Sequence, residues 1–585
     1  MKMYTADFET TTLETNSEET WVWAYGVREL YNKDSFIWGK DINDFMKWCS
    51  HSSKHLFFHN LKFDGMFILS WLLENDFEYN HERKCKPKTF KTVITKDTIF
   101  YQIEICWKIK GKNVVKTVIQ DSYKKLPFTV ERIAKAFNLE FQKGDIDYKA
   151  IRPRGYEPTK EEIDYLFRDV EIMAQALEIQ LDEGLEKMTI GSDSLNVFKD
   201  IISTKSFDRY FPVIDKEIDD IIRVSYKGGF TYVNPIHAGK DIFFGQVYDV
   251  NSLYPAVMYD KDLPYGLPIR FEGEYKHFDQ YPLYVQELTC EFKLKEGYVP
   301  TIQIKNDYRF KSTEYLKDTE DQIVQLVLTS VDLKLFFDHY EVFVHEWLGG
   351  YMFKSVNGLF KEYIDKYMEI KKTSEGAKRE LAKLLLNNLY GKFASSTDAT
   401  DKEAFLNSEG VLKLAIPTVK EIGPDGIERE VQVKKEKNPV YTAVGAYITS
   451  YAREITIRSA QKLGDRFIYG DTDSLHIQGL EPVDLDIHSV DLGKWKFEGE
   501  FRKGRFLRAK TYIEDIAQDE KGKDTKIENA KSFKTKVVCA GMNDVIKKQI
   551  TFDNFAPGNK FYGKLTPKII KGGVVLMDTY FTIKL

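Results

Sequence analysis

Residues 469–474 read Tyr-Gly-Asp-Thr-Asp-Ser and lie between two apolar runs, 466–469 and 475–477, that are typical of β-strands. Because alternate residues of a strand face the same side, Asp471 and Asp473 are expected to project together at a turn between the strands. Carboxylates held so close repel each other unless a cation lies between them. The pattern therefore predicts a platform for Mg²⁺, with a turn that bonds only its own backbone as the alternative.

Two more acidic motifs accompany strand-like runs elsewhere in the chain. Residues 249–255 read Asp-Val-Asn-Ser-Leu-Tyr-Pro directly after the run 243–248. Residues 4–10 read Tyr-Thr-Ala-Asp-Phe-Glu-Thr, so Asp7 and Glu9 lie two residues apart on a predicted strand. Metal-assisted chemistry at a phosphodiester needs several carboxylates that converge on two cations about 4 Å apart. All three motifs are therefore candidates for such sites.

Composition narrows the class of protein. The chain of 585 residues is long enough for roughly four domains. Its formal net charge of −5 does not indicate a nucleic-acid binder, but residues 493–512 contain seven basic and two acidic residues, which predicts a local phosphate-facing surface. The sequence has no Gly-x-x-x-x-Gly-Lys-Ser/Thr loop, which argues against a P-loop motor.

The cysteines and the apolar runs bear on the cellular compartment. No Cys-x-x-Cys pair is present, so neither a disulfide framework nor a zinc site is expected, and a reducing compartment fits. No apolar run approaches membrane-spanning length, and the first residues resemble a strand rather than a signal peptide. We therefore expect a soluble protein. The five cysteines are Cys49, Cys85, Cys106, Cys290 and Cys539.

In their order along the chain and in their amino acids, the three acidic motifs resemble the signatures of family B DNA polymerases. These are the Asp-x-Glu of a 3′→5′ exonuclease, followed by Asp-x-x-Ser-Leu-Tyr-Pro and Tyr-x-Asp-Thr-Asp-Ser of the polymerase palm. The resemblance implies an α/β multidomain fold, in which an RNase H-like exonuclease domain precedes a right-hand polymerase with palm, fingers and thumb. It also implies two Mg²⁺ ions per active site, with Mn²⁺ as an alternative.

For the exonuclease, the resemblance implies that Asp7, Glu9, Asp64 and Asp169 bind the metal ions. Tyr165 lies one helical turn before Asp169, where it could orient the attacking water. Tyr123 stands where the family has leucine. The residues expected to hold the single-stranded 3′ end are His59, Asn60, Phe63, Ser122 and Lys143.

For the polymerase, the resemblance implies that Asp249, Val250 and Asp473 bind the metal ions and that Asp471 supports catalysis. In a predicted helix at 374–391, the spacing i, i+4, i+7 places a lysine, an asparagine and a tyrosine on one face, while leucines face the core. The expected nucleotide-binding residues are Tyr254, Lys371, Arg379, Lys383, Asn387 and Tyr390. The expected DNA-binding residues are Tyr226, Gly228, Gly229, Lys510 and Tyr512.

Two long segments between the motifs indicate a branch of the family. About a hundred residues separate the palm motif from the fingers, which is too long for a loop and predicts a domain. After the fingers, the runs 411–416 and 427–433 flank Gly-Pro-Asp-Gly at 423–426, which predicts a β-hairpin between these runs. These insertions, with the strings at 191–195, 300–305 and 539–542, resemble the protein-primed replicases of small Bacillus phages of the Salasvirus type.

The resemblance also implies domain boundaries and partners. Template and primer DNA, deoxynucleotides and a terminal (priming) protein are the expected partners of a monomeric, strand-displacing replicase in the cytoplasm of an infected cell. A conventionally primed repair polymerase and an inactive DNA-binding relative are the alternatives. The expected segments are an exonuclease domain at 1–189, palm at 190–260, a first insertion at 261–358, fingers at 359–394, a second insertion at 395–438, palm at 439–539 and thumb at 540–585.

Overall fold

The computed structural model describes residues 1–12, 18–82, 84–148, 150–305, 308–422 and 425–584. Its first eight strands form one sheet in the order β3-β2-β1-β4-β8-β7-β6-β5, in which β1, β4 and β8 are parallel neighbours. The strands are β1 (Lys2–Thr10), β2 (Val22–Glu29), β3 (Ile37–Gly39), β4 (Lys54–Phe58), β5 (Glu78–Tyr79), β6 (Thr89–Ile94), β7 (Phe100–Lys110) and β8 (Asn113–Asp121).

Four helices follow in this part of the chain. They are α1 (Ile42–His51), α2 (Asp64–Glu74), α3 (Val130–Ala136) and α4 (Lys160–Asp182). Of these, α1, α2 and α4 pack against the sheet, whereas the buried residues of α3 belong to the core of the second sheet. A capping box starts α4, since Thr159 accepts from the backbone of Glu162 while the Glu162 carboxylate accepts from the backbone of Thr159. Along α4, the buried side chains include Tyr165 and Asp169, which both contribute to the site described below.

A seven-stranded sheet occupies the expected palm segments, in the order β23-β22-β21-β10-β20-β19-β9. The central strand β10 pairs on one side with β20 and on the other with β21, so residues from three distant parts of the sequence meet at its end. The strands are β9 (Thr231–Val233), β10 (Asp241–Val250), β19 (Phe467–Asp471), β20 (Ser474–Gln478), β21 (Trp495–Arg508), β22 (Thr511–Gln518) and β23 (Ser532–Cys539).

Helices pack together beside this sheet and share the main hydrophobic core with it. In α11, Leu381, Leu385 and Leu389 are buried whereas Asn387 is exposed, as the helical spacing predicts. The helices are α5 (Ile190–Ile202), α6 (Thr204–Tyr210), α7 (Lys216–Val224), α8 (Leu253–Asp260), α10 (Lys361–Thr373), α11 (Gly376–Phe393) and α12 (Thr442–Leu463).

The first insertion is a four-stranded antiparallel sheet with one helix and a separate core. Its strands lie in the order β11-β14-β12-β13. The elements are β11 (Leu263–Phe271), β12 (Leu283–Leu294), β13 (Val324–Thr329), α9 (Ser330–His339) and β14 (Tyr340–Val356).

The second insertion contains two hairpins, and the predicted pairing of 411–416 with 427–433 is wrong. A turn at Asn407, whose side chain accepts from the backbone N–H of Val411 at 2.8 Å, folds β16 back onto β15. The following strand β17 then pairs with β18. Gly423 and Pro424 of the predicted turn lie outside the described residues. The strands are β15 (Glu403–Leu406), β16 (Leu412–Ala415), β17 (Thr418–Ile422) and β18 (Glu428–Gln432).

The C-terminal segment contains α13 (Asp544–Lys547) and a long hairpin of β24 (Lys560–Ile570) and β25 (Gly573–Thr582). The tip of this hairpin docks on the N-terminal domain, where the Thr20 N–H donates to the Lys571 carbonyl at 3.0 Å. Gly573 allows this approach, because a Cβ there would lie 2.5 Å from the ring of Phe67.

One disulfide bond joins Cys85 and Cys106, which corrects the expectation that no disulfide would form. Cys106 lies on β7 opposite Thr89 of β6, and the loop that leads into β6 brings Cys85 beside it. Strand pairing therefore creates a proximity that the spacing of 21 residues does not indicate. Within the described ranges, no helix combines the length and apolar character needed to cross a membrane.

Candidate active sites

Four carboxylates converge near the carboxyl ends of the neighbouring parallel strands β1 and β4. Asp7 and Glu9 leave the same side of β1, Asp64 begins α2, and Asp169 lies on α4. Burial and the nearby charge of Asp169 raise the pKa of Asp7 to about 7. The pKa values of Glu9 and Asp64 lie well above their usual range for the same reasons, burial first and neighbouring carboxylates second.

This carboxylate cluster has the chemistry of a cation site. Oδ1 of Asp64 and Oδ1 of Asp169 are buried and accept no hydrogen bond from any described residue. The Lys143 ammonium binds the other oxygen of Asp169 at 2.8 Å, so a cation already interacts with the cluster. Buried carboxylate oxygens without donors are costly unless a cation compensates them, and they are the ligands that Mg²⁺ prefers. These residues therefore fit divalent metal ions.

Tyr165 lies beside the carboxylates on α4, and its hydroxyl is 2.5 Å from that of Tyr148. Burial and the charge of Asp169 raise the pKa of Tyr165, so its hydroxyl remains protonated and able to donate. Tyr148 was missed in the sequence because no periodicity connects its loop to α4. Only the folded chain brings the two hydroxyls together.

A cavity of about 550 Å³ opens next to this cluster. His59, Asn60 and Tyr123 line it together with Lys143, whereas Phe63 is not among the lining residues. The Asn60 backbone is left-handed, with φ 69°, and its N–H donates to Asp121 Oδ1 at 2.9 Å. Asparagine adopts this conformation more readily than most residues.

Ser122, one of the residues expected to hold the single-stranded 3′ end, bonds to its protein neighbours in this structure. Its side chain is buried, and its hydroxyl donates to the carbonyl of Phe58 at 3.0 Å. The same hydroxyl lies 3.1 Å from Nδ1 of His59, whose Nε2 lies 2.7 Å from the Phe128 carbonyl. Ser122 therefore orients His59 from beneath.

The second carboxylate cluster lies at the end of β10 in the palm sheet. The strands β19 and β20 form a tight turn at Thr472, which has φ 62°, and the Val250 N–H donates to the Asp473 carbonyl at 2.7 Å. Oδ1 of Asp249 is buried and has no hydrogen-bond partner in the described structure. Burial, with the charges of Asp473 and Glu498, raises the pKa of Asp249 to about 7.

Asp471 differs from the other two aspartates because its carboxylate is already compensated. Lys510 Nζ lies 2.8 Å from both of its oxygens, and the hydroxyls of Tyr469 and Thr231 donate to it at 3.1 and 3.0 Å. Burial raises the pKa of Asp473. Both oxygens of Asp471 are bound to donors, whereas Oδ1 of Asp249 has none, so Asp249 fits a metal ion better than Asp471 does.

A cavity of about 540 Å³ lies over these aspartates and is also lined by Glu498, Lys510 and Tyr512. Within the described ranges, no group of three or more His, Cys, Asp or Glu side chains is arranged closely enough to hold a metal ion as it stands. The side chain of Val250 is apolar and buried, so only its carbonyl could contact a metal ion. Glu498 was missed in the sequence, and its location depends on how β21 pairs with β10.

Aromatic and basic side chains from the helices face the same region. The rings of Tyr254 and Tyr390 are stacked with centroids 4.0 Å apart. Lys371 Nζ donates to Ser252 Oγ at 2.9 Å, and Lys383 forms an ion pair with Glu380 at 2.6 Å. Burial and neighbouring cations lower the pKa of Lys371, with Lys383 and Arg379 the largest of the charged contributors.

The loop with Tyr226, Gly228 and Gly229 passes close to the turn of the palm motif. A Cβ on Gly229 would lie 2.6 Å from Thr472 Oγ1, so this approach requires glycine. Arg453 donates to the carbonyls of Lys227 and Gly228 at 2.6 and 2.8 Å and fixes the loop.

The basic stretch 493–512 forms ion pairs with nearby carboxylates, and the expected phosphate-facing surface stays a prediction. Lys510 binds Asp471, and Lys503 and Arg505 both bind Asp241. Six of the seven basic side chains form such ion pairs: Lys494, Lys496, Arg502, Lys503, Arg505 and Lys510.

Comparisons with known proteins agree on one family of enzymes. The family model for DNA polymerase type B, organellar and viral, matches residues 47–157 and 152–492. The DNA polymerases of Bacillus phage M2 and Bacillus phage phi29 are 47% and 46% identical to the chain, with 100% of the chain and 100% and 99% of those proteins covered. The structure of phi29 DNA polymerase complexed with primer-template DNA and incoming nucleotide superposes with a TM-score of 0.92, 46% identity and full coverage of both chains.

Proposed function

Because the chain belongs to the organellar and viral type B DNA polymerases, we propose that it copies DNA at the palm cluster and removes mismatched 3′ ends at the N-terminal cluster. The enzyme class and the α/β multidomain fold follow from this membership. The division of labour between the two clusters, the metal ions and the mode of priming are proposals that rest on the geometry of the sites.

At the palm cluster, Asp249 and Asp473 would hold two Mg²⁺ ions, with the carbonyl of Val250 as a further ligand. When bound, these ions lower the pKa of the primer hydroxyl and neutralise the triphosphate. Lys371 and Lys383 face the triphosphate. The remaining contacts include Arg379 and Asn387 with the nucleotide, the Tyr254–Tyr390 stack under its sugar and base, and Tyr226, Gly228, Gly229, Lys510 and Tyr512 with the DNA.

At the N-terminal cluster, Asp7, Glu9, Asp64 and Asp169 would hold the metal ions that activate water for cleavage. The Tyr165 hydroxyl, protonated and held by Tyr148, is placed to orient that water. The adjacent cavity would take a single-stranded 3′ end, with Asn60 and Phe63 among its contacts and His59 positioned by Ser122. Lys143 neutralises Asp169 and would also face the phosphate.

The observation that carries this proposal is the presence of buried carboxylate oxygens without donors in both clusters, at Asp64 and Asp169 in one and Asp249 in the other. Asp219 and Glu514 also have one such oxygen, but each has a basic partner, Arg223 and His476 respectively. In the two clusters, by contrast, neighbouring carboxylates raise one another's pKa, which a bound cation would relieve. An inactive DNA-binding relative would not need to keep two such costly clusters. The clusters therefore favour two metal-dependent activities.

The test compares two variants in two assays. Asp249→Ala is expected to abolish primer extension and to leave degradation of a single strand within about twofold of the original rate. The double variant Asp7→Ala/Glu9→Ala is expected to do the reverse and to leave mismatched 3′ ends untrimmed. If Asp249→Ala abolished both activities in a protein that melts normally, the two-site assignment would be wrong.

We further propose that a terminal protein primes synthesis and that the second insertion separates the strands ahead of the enzyme. Ala404 and Leu412 of the first hairpin pack into the N-terminal core, which Val574 of the C-terminal hairpin also enters. We infer from these contacts that the palm, the N-terminal domain, the first hairpin of the insertion and the C-terminal hairpin together form a ring. A ring that passes only one strand would force the other aside without an ATP-driven motor.

The mode of priming separates this proposal from a conventionally primed repair polymerase. Extension of a DNA primer is expected from both enzymes. Only the protein-primed replicase would start synthesis on a linear template with Mg²⁺, deoxynucleotides and a terminal protein. Failure to start under these conditions, with normal extension of a DNA primer, would favour the repair polymerase.

A further inference from the structure

Lys496 lies directly across the palm sheet from Asp249. The two residues are paired in the antiparallel register of β10 and β21, between the pairs Tyr248–Phe497 and Val250–Trp495. Side chains of directly opposite residues leave the same face of a sheet, with Cβ atoms about 5 Å apart. Lys496 therefore projects on the same side as the carboxylate that we assign to the metal ions.

Lys496 forms an exposed ion pair that another anion can replace. Its Nζ lies 2.6 Å from Oε1 of Glu498, and the two side chains are 42% and 40% exposed. Ion pairs this exposed contribute little free energy, so a stronger anion can displace the carboxylate. Glu498 also lines the cavity over Asp249.

Lys496 lies on the side of Asp249 where the cationic helix residues are found. The pKa of Lys371 is lowered first by burial and then by the charges of Lys383 and Arg379, and the charge of Lys496 adds to this effect. Lys371 is tied to Ser252, which follows Asp249 by three residues. The charge of Lys496 is therefore near both Asp249 and the cationic helix residues.

We propose that Lys496 is a further nucleotide-positioning residue, whose ammonium leaves Glu498 and binds the triphosphate of the incoming deoxynucleotide. This role rests on the proposed palm site. A triphosphate brings several negative charges beside Glu498, and the flexible lysine can follow the stronger field without leaving the strand. The same contact would hold pyrophosphate after the transfer.

The test measures KM and kcat for deoxynucleotides on a primed template. Lys496→Ala is expected to raise KM about five- to tenfold with kcat within about twofold, because an exposed charged contact is lost. Lys496→Arg keeps the charge and is expected to restore KM to within about twofold. Pyrophosphorolysis at subsaturating pyrophosphate should slow in parallel for Lys496→Ala.

Lys494→Ala is the matched control, since Lys494 lies two residues away and its ammonium binds Asp486 outside the site. This variant should keep the original KM. A KM for Lys496→Ala equal to that of the control would overturn the proposal, as would a fall in kcat at unchanged KM. If Asp249→Ala still synthesised DNA, the palm assignment itself would fail, whereas an inactive Asp249→Ala with a normal Lys496→Ala would refute only the role of Lys496.

Discussion

Replacing Asp249 by asparagine should stabilise the metal-free protein while abolishing DNA synthesis. Burial and the charges of Asp473 and Glu498 raise the pKa of Asp249 from 3.8 to about 7. This difference corresponds to about 4 kcal/mol of folded-state stability that is lost when the carboxyl ionises. Asparagine has a similar shape and cannot ionise. Allowing for relaxation and for imperfect hydrogen bonds of the amide, we expect a gain of about 2 kcal/mol at pH 8.

The direction of the pH dependence follows from the raised pKa. A carboxyl that holds its proton more tightly when folded stabilises the protein at low pH, and this contribution disappears as the pH rises through 7. The advantage of asparagine should therefore be full at pH 8, about two-fifths as large at pH 5 and absent below about pH 4, because the unfolded carboxyl ionises above its ordinary pKa of 3.8. Mg²⁺ should reduce it, because the original protein is stabilised by binding the ion and the variant loses that ligand.

The assay is thermal melting at pH 5 and pH 8, with EDTA or with Mg²⁺. Asp484→Asn serves as a control, because Asp484 is 89% exposed and forms only a surface ion pair with Lys462. The variant should melt a few degrees higher than the original protein in EDTA at pH 8. An equal or lower melting temperature there would show that the buried carboxylate costs no stability, and the argument for a metal site from its missing donors would fail.

Three other perturbations test separate parts of the molecule. Tyr254→Val removes the ring stacked on Tyr390 and should lower the preference for deoxynucleotides over ribonucleotides by at least about tenfold, measured as the ratio of kcat/KM values. Lys125→Ala leaves Asp193 buried without its 2.8 Å partner and should destabilise the fold by about 3–5 kcal/mol, measured by denaturant unfolding, whereas an unchanged midpoint would show that the pair is dispensable. Deletion of residues 397–437 should leave filling of a primed single-stranded circle intact and cripple extension from a nicked circle, and undiminished strand displacement would show that the two hairpins do not separate strands.

Much of the fold and the carboxylate geometry could be predicted because they depend on short-range rules. Asp7 and Glu9 leave one side of β1 because a strand alternates, and Tyr165 and Asp169 share a side of α4 because a helix repeats every 3.6 residues. The resemblance to family B polymerases is confirmed over the full chain. The role of each residue at the sites stays a prediction.

What could not be predicted depends on strand register and on contacts between distant segments. Cys85 reaches Cys106 only because β6 pairs with β7, and the turn at Asn407 gives β16 a partner other than the expected one. Alternation identifies which residues of β10 share a face, but nothing in a single strand identifies the residue on the neighbouring strand. The sequence therefore does not indicate that Lys496 lies opposite Asp249.

Asp471 and Asp473 show how far such distant contacts determine chemistry. The two aspartates belong to one motif and lie two residues apart, so their sequence environment is nearly the same. Asp471 nevertheless forms an ion pair with Lys510 from the turn after β21 and accepts a hydrogen bond from Thr231 of β9, whereas Asp473 forms no ion pair within the described residues and only feels the charge of Lys510. An aspartate that already has a cation has less to gain from Mg²⁺ than one that has none. The difference between a supporting and a metal-binding aspartate is therefore set by strands that the motif does not contain.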